Sequence, residues 1–337
     1  MKDVSVRTSL RRKAIALLLA IALLGVGAHL WLNTNAFGRD EACGGLVPTD
    51  SAAAVFSSSG RVSDGSGPDT RPDDRLAFTC TLESSSFLPW TDTERIRISA
   101  GRERGDFPFT DDGRWPNPAA VSFFSGGPTG AVGAVGDDHG WVFLPGACTT
   151  AGEPAIVEGY APEGSDPVKL ARLLTDVANR AAEGADCRGK EPLRAPAGLA
   201  APAGPRPVRN GAVCGLADLE FPVPGQRTKA TERMQEHIRP TWACEIAGYA
   251  TYAVTQEPQI VNGIRSSPGF KEQSPVAGRR VSGFDPRHVV ADCAGTPTYF
   301  SLEFGPSYND AVGTPGTLRM QDLFDNFVES VGKRIGC

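Results

Sequence analysis

LLTDVANRAAEGADC (residues 173–187) and FDNFVESVGKRIGC (residues 324–337) both end on a cysteine, and the second ends the sequence. Laying Cys187 on Cys337, an offset of 150, pairs Leu170 with Met320, Leu173 with Leu323 and Leu174 with Phe324 without a gap. It also pairs Val177 with Phe327, Ala178 with Val328 and Ala181 with Val331. These positions fall at i, i+3, i+4, i+7, i+8 and i+11, which is one face of an α-helix, present twice. Asp166-Pro167 offers an N-cap type and a proline at the first helical position. Thr314-Pro315 offers a similar start for the second helix.

The other cysteines fall in the same order. Phe78-Thr-Cys80-Thr-Leu82 and Trp242-Ala-Cys244-Glu-Ile246 each read aromatic, x, Cys, x, aliphatic. That period of two sends all three side chains to one face of a strand. Cys148 and Cys293 each precede a short turn, a proline and a β-rich run, and Cys43 and Cys214 open CGGLVP and CGLADL. The expectation is therefore two similar four-cysteine domains, at residues 43–187 and 212–337. A Pro/Ala-rich linker at 188–211 joins them. ERIRISA (94–100) alternates as a half-exposed strand should, while residues 228–240 are ambiguous between helix and strand. The expected fold class is α+β, each domain an antiparallel sheet covered by a long C-terminal helix. Four cysteines leave three connectivities per copy. Neighbours are taken as the pairs: Cys43 with Cys80, Cys148 with Cys187, Cys214 with Cys244, and Cys293 with Cys337.

The 337 residues carry a net charge of −5, with no basic face to neutralise phosphates, so a nucleic-acid partner is not expected. The N-terminus is the basic exception. Residues 1–13 include Lys2, Arg7, Arg11, Arg12 and Lys13, ahead of the uncharged run AIALLLAIALLGVGAHLWL at 14–32. At 1.5 Å per residue that run is roughly 28 Å long, close to the ~30 Å hydrocarbon layer. The expectation is a transmembrane signal anchor with the lipid bilayer as partner, the basic end cytoplasmic, a spacer at 33–42 and the remainder outside. Cleavage after VGA (26–28), releasing a secreted protein, is the rival reading. All eight cysteines follow this segment and none is spaced for zinc, so disulfides in an oxidising compartment are expected.

The basic N-terminus, single span and stretch WVFLPGAC … LARLLTDVANRAAEGADC resemble membrane-anchored extracytoplasmic, cell-envelope proteins of high-GC actinobacteria with tandem four-cysteine domains. The resemblance implies location and disulfide architecture. It supplies no catalytic residue.

Catalytic patterns are sparse. There is no Gly-x-Ser-x-Gly elbow, and DGSGP around Ser66 reads as a loop. Asp73-Asp74 and Asp111-Asp112 read as solvated loop acids. GGPTGAVGAVGDDHG (126–140) is Gly-rich but matches no phosphate-loop pattern, and it lies where the first copy is the longer. Within it Asp137, Asp138 and His139 are the ligand-binding candidates, a histidine beside carboxylates being a base or metal-ligand type. The bland reading is a polar hairpin turn before a strand at 141–144. His288 reads as a surface or strand-edge residue and His237 falls in the ambiguous segment. The expected function is a non-catalytic cell-envelope protein whose two modules bind the wall, a lipid or another envelope protein, with no cofactor and no metal. The alternative is an extracytoplasmic hydrolase acting near residues 126–140.

Overall fold

Short runs of alternating polarity, broken by Gly, Pro and Asp, dominate the computed structural model. It describes residues 3–35, 38–70, 74–86, 92–110, 113–133, 138–209, 211–238 and 240–337. After helix α1 (Asp3–Asn33), a small ribbon of β1 (Glu41–Ala42) and β2 (Val47–Pro48) leads into α2 (Thr49–Val55). There follow β3 (Arg61–Thr70), β4 (Phe78–Ser85), β5 (Glu94–Arg102), β6 (Val121–Phe124), β7 (Gly130–Gly133), β8 (His139–Phe143), β9 (Ala155–Tyr160) and helix α3 (Pro167–Gly184). The remainder holds β10 (Arg206–Pro207), a ribbon of β11 (Ala212–Val213) and β12 (Leu216–Ala217), β13 (Thr231–Met234), β14 (Thr241–Ile246) and β15 (Ala250–Thr255). It closes with α4 (Pro258–Ser266), β16 (Lys271–Val276), β17 (Arg279–Asp285), β18 (His288–Cys293), β19 (Thr296–Phe304), α5 (Pro306–Ala311) and α6 (Met320–Ile335). The two large sheets run β3-β4-β5-β9-β8-β7-β6 and β10-β13-β14-β15-β19-β18-β17-β16.

This architecture corrects the expected α+β class, with its helix-closed domains behind a transmembrane helix. The chain is mostly sheet, with 19 strands and six α-helices among the described residues. One helix, α6, closes the chain; α3 is internal. The sheet content was hidden in Gly-, Ser- and Pro-rich segments. RVSDGSGPDT is strand β3, which tolerates its small residues because the register shifts at Asp64/Ser66 and Ser66/Asp69. The segment 228–240 contains strand β13, and α6 starts at Met320 rather than near Thr314-Pro315. There the Thr314 and Thr317 hydroxyls donate to the Ala311 carbonyl and end α5 in a turn.

The transmembrane anchor expected at 14–32 is corrected as well. No helix among the described residues is long and apolar enough to cross a membrane. The run lies within α1, Asp3–Asn33. The far end of that run is polar, with Asn33 Nδ2 3.2 Å from His29 Nδ1.

Packing follows the alternation. Helix α3 is set by Asp166, whose carboxylate accepts from the Val168 and Lys169 N–H groups at 2.9 and 3.4 Å, with Pro167 at N1. Its Leu170, Leu173, Leu174 and Val177 bury against Cys80, Leu82, Ile96, Ile98, Val142 and Val157 of the first sheet. Likewise Leu323, Phe324, Phe327 and Val331 of α6 bury against Trp242, Tyr252, Val254, Phe300 and Leu302 of the second. The opposite faces meet each other. Phe107, Phe109, Trp115, Trp141, Phe143 and Ile156 form one core with Ala243, Ala253, Tyr299, Val290 and Ile260 and Ile264 of α4. The layers run helix, sheet, shared aromatic layer, sheet, helix.

Gly105 marks a close approach of the two halves. A Cβ there would lie 2.3 Å from the backbone of Gly263 and Ile264, and its N–H donates to Ser267 Oγ at 2.8 Å. The segment between the sheets is held at both ends. Asn179 and the Leu193 backbone exchange two hydrogen bonds, and β10 pairs with β13.

Four disulfides join Cys43 to Cys80, Cys148 to Cys187, Cys214 to Cys244, and Cys293 to Cys337. Each ties together cysteines 30 to 44 residues apart, worth on the order of 4 kcal/mol in the chain-entropy model. Such bonding belongs to an oxidising, extracytoplasmic compartment.

Candidate functional site

The face of the first sheet turned away from α3 has two halves. Along β8 and β9 it lies under the shared aromatic layer. Along β4 and β5 no described residue covers it, and a cavity of about 720 Å³ opens there. Because alternate residues share a face, Arg97, Ser99 and Gly101 of β5 line it, while Ile96 and Ile98 between them are buried under α3. Strand register aligns its polar floor in rows. Asp69 stands opposite Thr79, Thr79 opposite Ser99, and Ser99 opposite Glu158. In the next row Arg97 stands opposite Tyr160, and Tyr160 opposite His139. Neighbouring strands lie about 4.8 Å apart, so the first row spans roughly 14 Å.

Glu158 is the hub, and its side chain is only 5% exposed. Its Oε1 accepts from Tyr160 Oη at 2.9 Å and lies 2.8 Å from His139 Nε2. Its Oε2 accepts from Arg114 Nη2 at 2.7 Å and Ser99 Oγ at 3.4 Å. Burial alone would raise its pKa; the hydrogen bonds from His139, Arg114 and Tyr160 outweigh burial and hold it at about 2. Burial, then donation to that carboxylate, pushes the Tyr160 phenol up to about 12. Arg114 also reaches Glu103 at 2.5 Å, and its guanidinium lies over the Trp115 ring, 4.4 Å from the centroid. The His139 imidazole is stacked between Tyr160, at 4.1 Å, and Trp115, at 5.5 Å.

The structure therefore places the sequence candidates as follows. Asp137 lies outside the described residues, as do Asp73, Asp111 and Asp112. Asp138 accepts the Ala161 N–H on its main-chain carbonyl. His139 is no turn residue but the buried first residue of β8. Residues 130–133 of the Gly-rich stretch are strand β7, where Gly130 is required by the Phe124 ring and the Trp141 carbonyl, each 2.5 Å from a would-be Cβ. Glu158, Tyr160, Arg114 and Arg97 were not singled out from sequence. A signal existed in the alternation of ERIRIS, apolar on one side and polar on the other.

His288 has a parallel setting in the second sheet. It too is the buried first residue of its strand, not a surface residue. Its Nδ1 lies 2.8 Å from Asp285 Oδ2, and its Nε2 lies 3.0 Å from Glu303 Oε1, an ion-pair contact lacking hydrogen-bond alignment. Burial alone would lower its pKa; Asp285 and Glu303 outweigh burial and raise it to about 9. Nearby, buried Asp106 is paired with Arg104, whose guanidinium lies over Phe284. Its Glu303 lines a recess of about 200 Å³, smaller than ligand pockets usually are.

Two other possibilities are weaker on size and chemistry. A recess between the halves, lined by Phe123, Thr129, His237 and Glu257, holds about 150 Å³, below the ~300–1,000 Å³ of ligand pockets. Among the described residues the one group with metal-ligand spacing is Cys43, Asp64 and Cys80. Its sulfurs are bonded to each other, and the Asp64 carboxylate accepts the Cys43 N–H at 2.7 Å. No protein-family model, curated protein or solved structure matches the chain.

Proposed function

We propose that this is an exported, non-catalytic binding protein of the cell envelope, and that the cavity over β4, β5 and β9 is its ligand seat. The observation that carries the reading is the polar-floored half of a sheet face that no described residue covers, beside a half packed under the aromatic layer. Its volume of about 720 Å³ falls within the range of small-molecule sites. The wiring of Glu158 favours binding over catalysis. A carboxylate held at about 2 stays ionised at neutral pH, and its oxygens are already engaged by four protein donors. His139, stacked between two rings, is a brace for that carboxylate. A hydrolase working through Asp138 and His139 gains no support from this geometry.

Gly101 supplies the test. Its conformation is ordinary for a strand and a Cβ there would meet nothing within 4 Å, so Gly101→Phe fills the cavity without a backbone clash. Native mass spectrometry of a mixed small-molecule library against wild type and Gly101→Phe should show adducts that the variant lacks. If every adduct survives in Gly101→Phe, the ligand seat lies elsewhere and the reading fails.

A further inference from the structure

The floor of the cavity carries enough chemistry to name a ligand class. Resting on the binding role above, we propose that the ligand is a short saccharide of neutral or amino-bearing units. The first row offers carboxylate, hydroxyl, hydroxyl in register, Asp69, Thr79 and Ser99, and ends on Glu158, whose oxygens the protein itself engages. Ligand hydroxyls both donate and accept, so they satisfy such a mixed row where a purely anionic or purely cationic ligand leaves groups unmatched. The strand spacing of about 4.8 Å, comparable with the length of one pyranose unit, repeats these groups at the pitch of an extended saccharide. In the second row the Tyr160 ring is 39% exposed and gives an apolar face for sugar C–H groups, while its stack on His139 fixes the ring.

Charge separates this class from its rivals. Arg102 is neutralised by Asp74, and Arg114 by Glu103 and Glu158. Among the cavity's side chains, Asp69, Glu153 and Arg97 are the charged groups without an ion-pair partner within the described residues. Two acids against one base disfavour phosphorylated or uronate ligands and tolerate an ammonium group. A lipid tail needs an apolar trough, and this floor is polar. A peptide bound by strand addition would take the outer edge of β3, whereas the cavity opens on the sheet face over β4, β5 and β9.

The test uses the full-length, disulfide-intact protein and calorimetric titration with four probes: a glucose tetrasaccharide, a glucosamine tetrasaccharide, tetragalacturonate and tetra-alanine. The first two should bind, weakening about tenfold or more in Arg97→Ala and disappearing in Gly101→Phe. Co-sedimentation with an insoluble glucosamine polymer separates a polymer-bound source from free oligosaccharide, and binding to either supports the class. Binding of tetragalacturonate or tetra-alanine in preference to both sugars, lost in Gly101→Phe, overturns the saccharide class and leaves the binding role standing. Sugar binding that survives in Gly101→Phe overturns the assignment of this cavity. Failure of both sugars to bind at millimolar concentration overturns the class, while the library comparison still decides the binding role.

Discussion

Replacing Glu158 with glutamine removes a charge that four groups converge on, and its cost should depend on pH in a calculable way. The carboxylate sits at about 2 in the folded chain against an ordinary value of 4.5. Each pKa unit is 1.36 kcal/mol of preference for the ionised form, so the folded state gains on the order of 3 kcal/mol from ionised Glu158 at neutral pH. Because the folded value is the lower one, the gain is present above about 4.5 and is lost as pH falls toward 2. Glu158→Gln forfeits it at every pH. Urea unfolding of both proteins at pH 7 should show the variant weaker by about 2–4 kcal/mol, since breaking a buried pair also strands its partners. At pH 2.5 the gap should shrink to about 1 kcal/mol. A gap of equal size at pH 7 and pH 2.5 would show that Glu158 acts through shape rather than charge and would refute the reasoning. A stability unchanged at pH 7 would refute it more directly.

Three other outcomes can be checked on the same protein. His288, raised to about 9 against 6.5 by Asp285 and Glu303, stabilises fully below pH 6.5 and loses that contribution as pH climbs through 9. Stability should therefore fall by on the order of 3 kcal/mol between pH 6.5 and 9.5 in wild type, and His288→Gln should flatten that slope in chemical-denaturation curves. Phe327→Ala removes a fully buried ring that meets Trp242, Tyr252, Phe300 and Phe324, and should cost about 3–5 kcal/mol in the same assay. Tyr299 is fully buried and its hydroxyl has no hydrogen-bond partner, so Tyr299→Phe should be neutral or stabilising by up to about 1 kcal/mol; a clear loss in thermal melting would mean that the hydroxyl is engaged.

Much of the framework was readable in the residues, and what escaped did so for identifiable reasons. The apolar stripes Leu170–Ala181 and Leu323–Val331 show because a helix face repeats within a few residues. Disulfide bonding shows because all eight cysteines follow the basic N-terminus and recur in the same order in both halves. The shared aromatic layer did not show, although WVFL (141–144) is an unbroken apolar run, the pattern of a strand buried on both faces. Periodicity reports that such a strand is covered twice but not by what. The strand β3 was lost because Gly, Ser and Pro speak for a loop unless a bulge absorbs them. The cavity was invisible for a topological reason. Arg97 and Tyr160 are neighbours only because β5 pairs with β9, a strand four places later in the chain. Glu158 itself sits in an apolar run, AIVEGY, where a lone acid gives no hint that a histidine, an arginine and a tyrosine will gather on it.

The aromatic layer between the sheets has a consequence for export. A chain threaded out amino-terminus first delivers Trp115, Trp141 and Phe143 before the second sheet that covers them has emerged. Until Tyr299 and its neighbours arrive, the leading half must carry a sticky wall of rings through a crowded space. Secretion of this protein should therefore draw on a holding chaperone at the exit side, and a truncation that ends inside the linker should be degraded or aggregate rather than accumulate as a stable fragment.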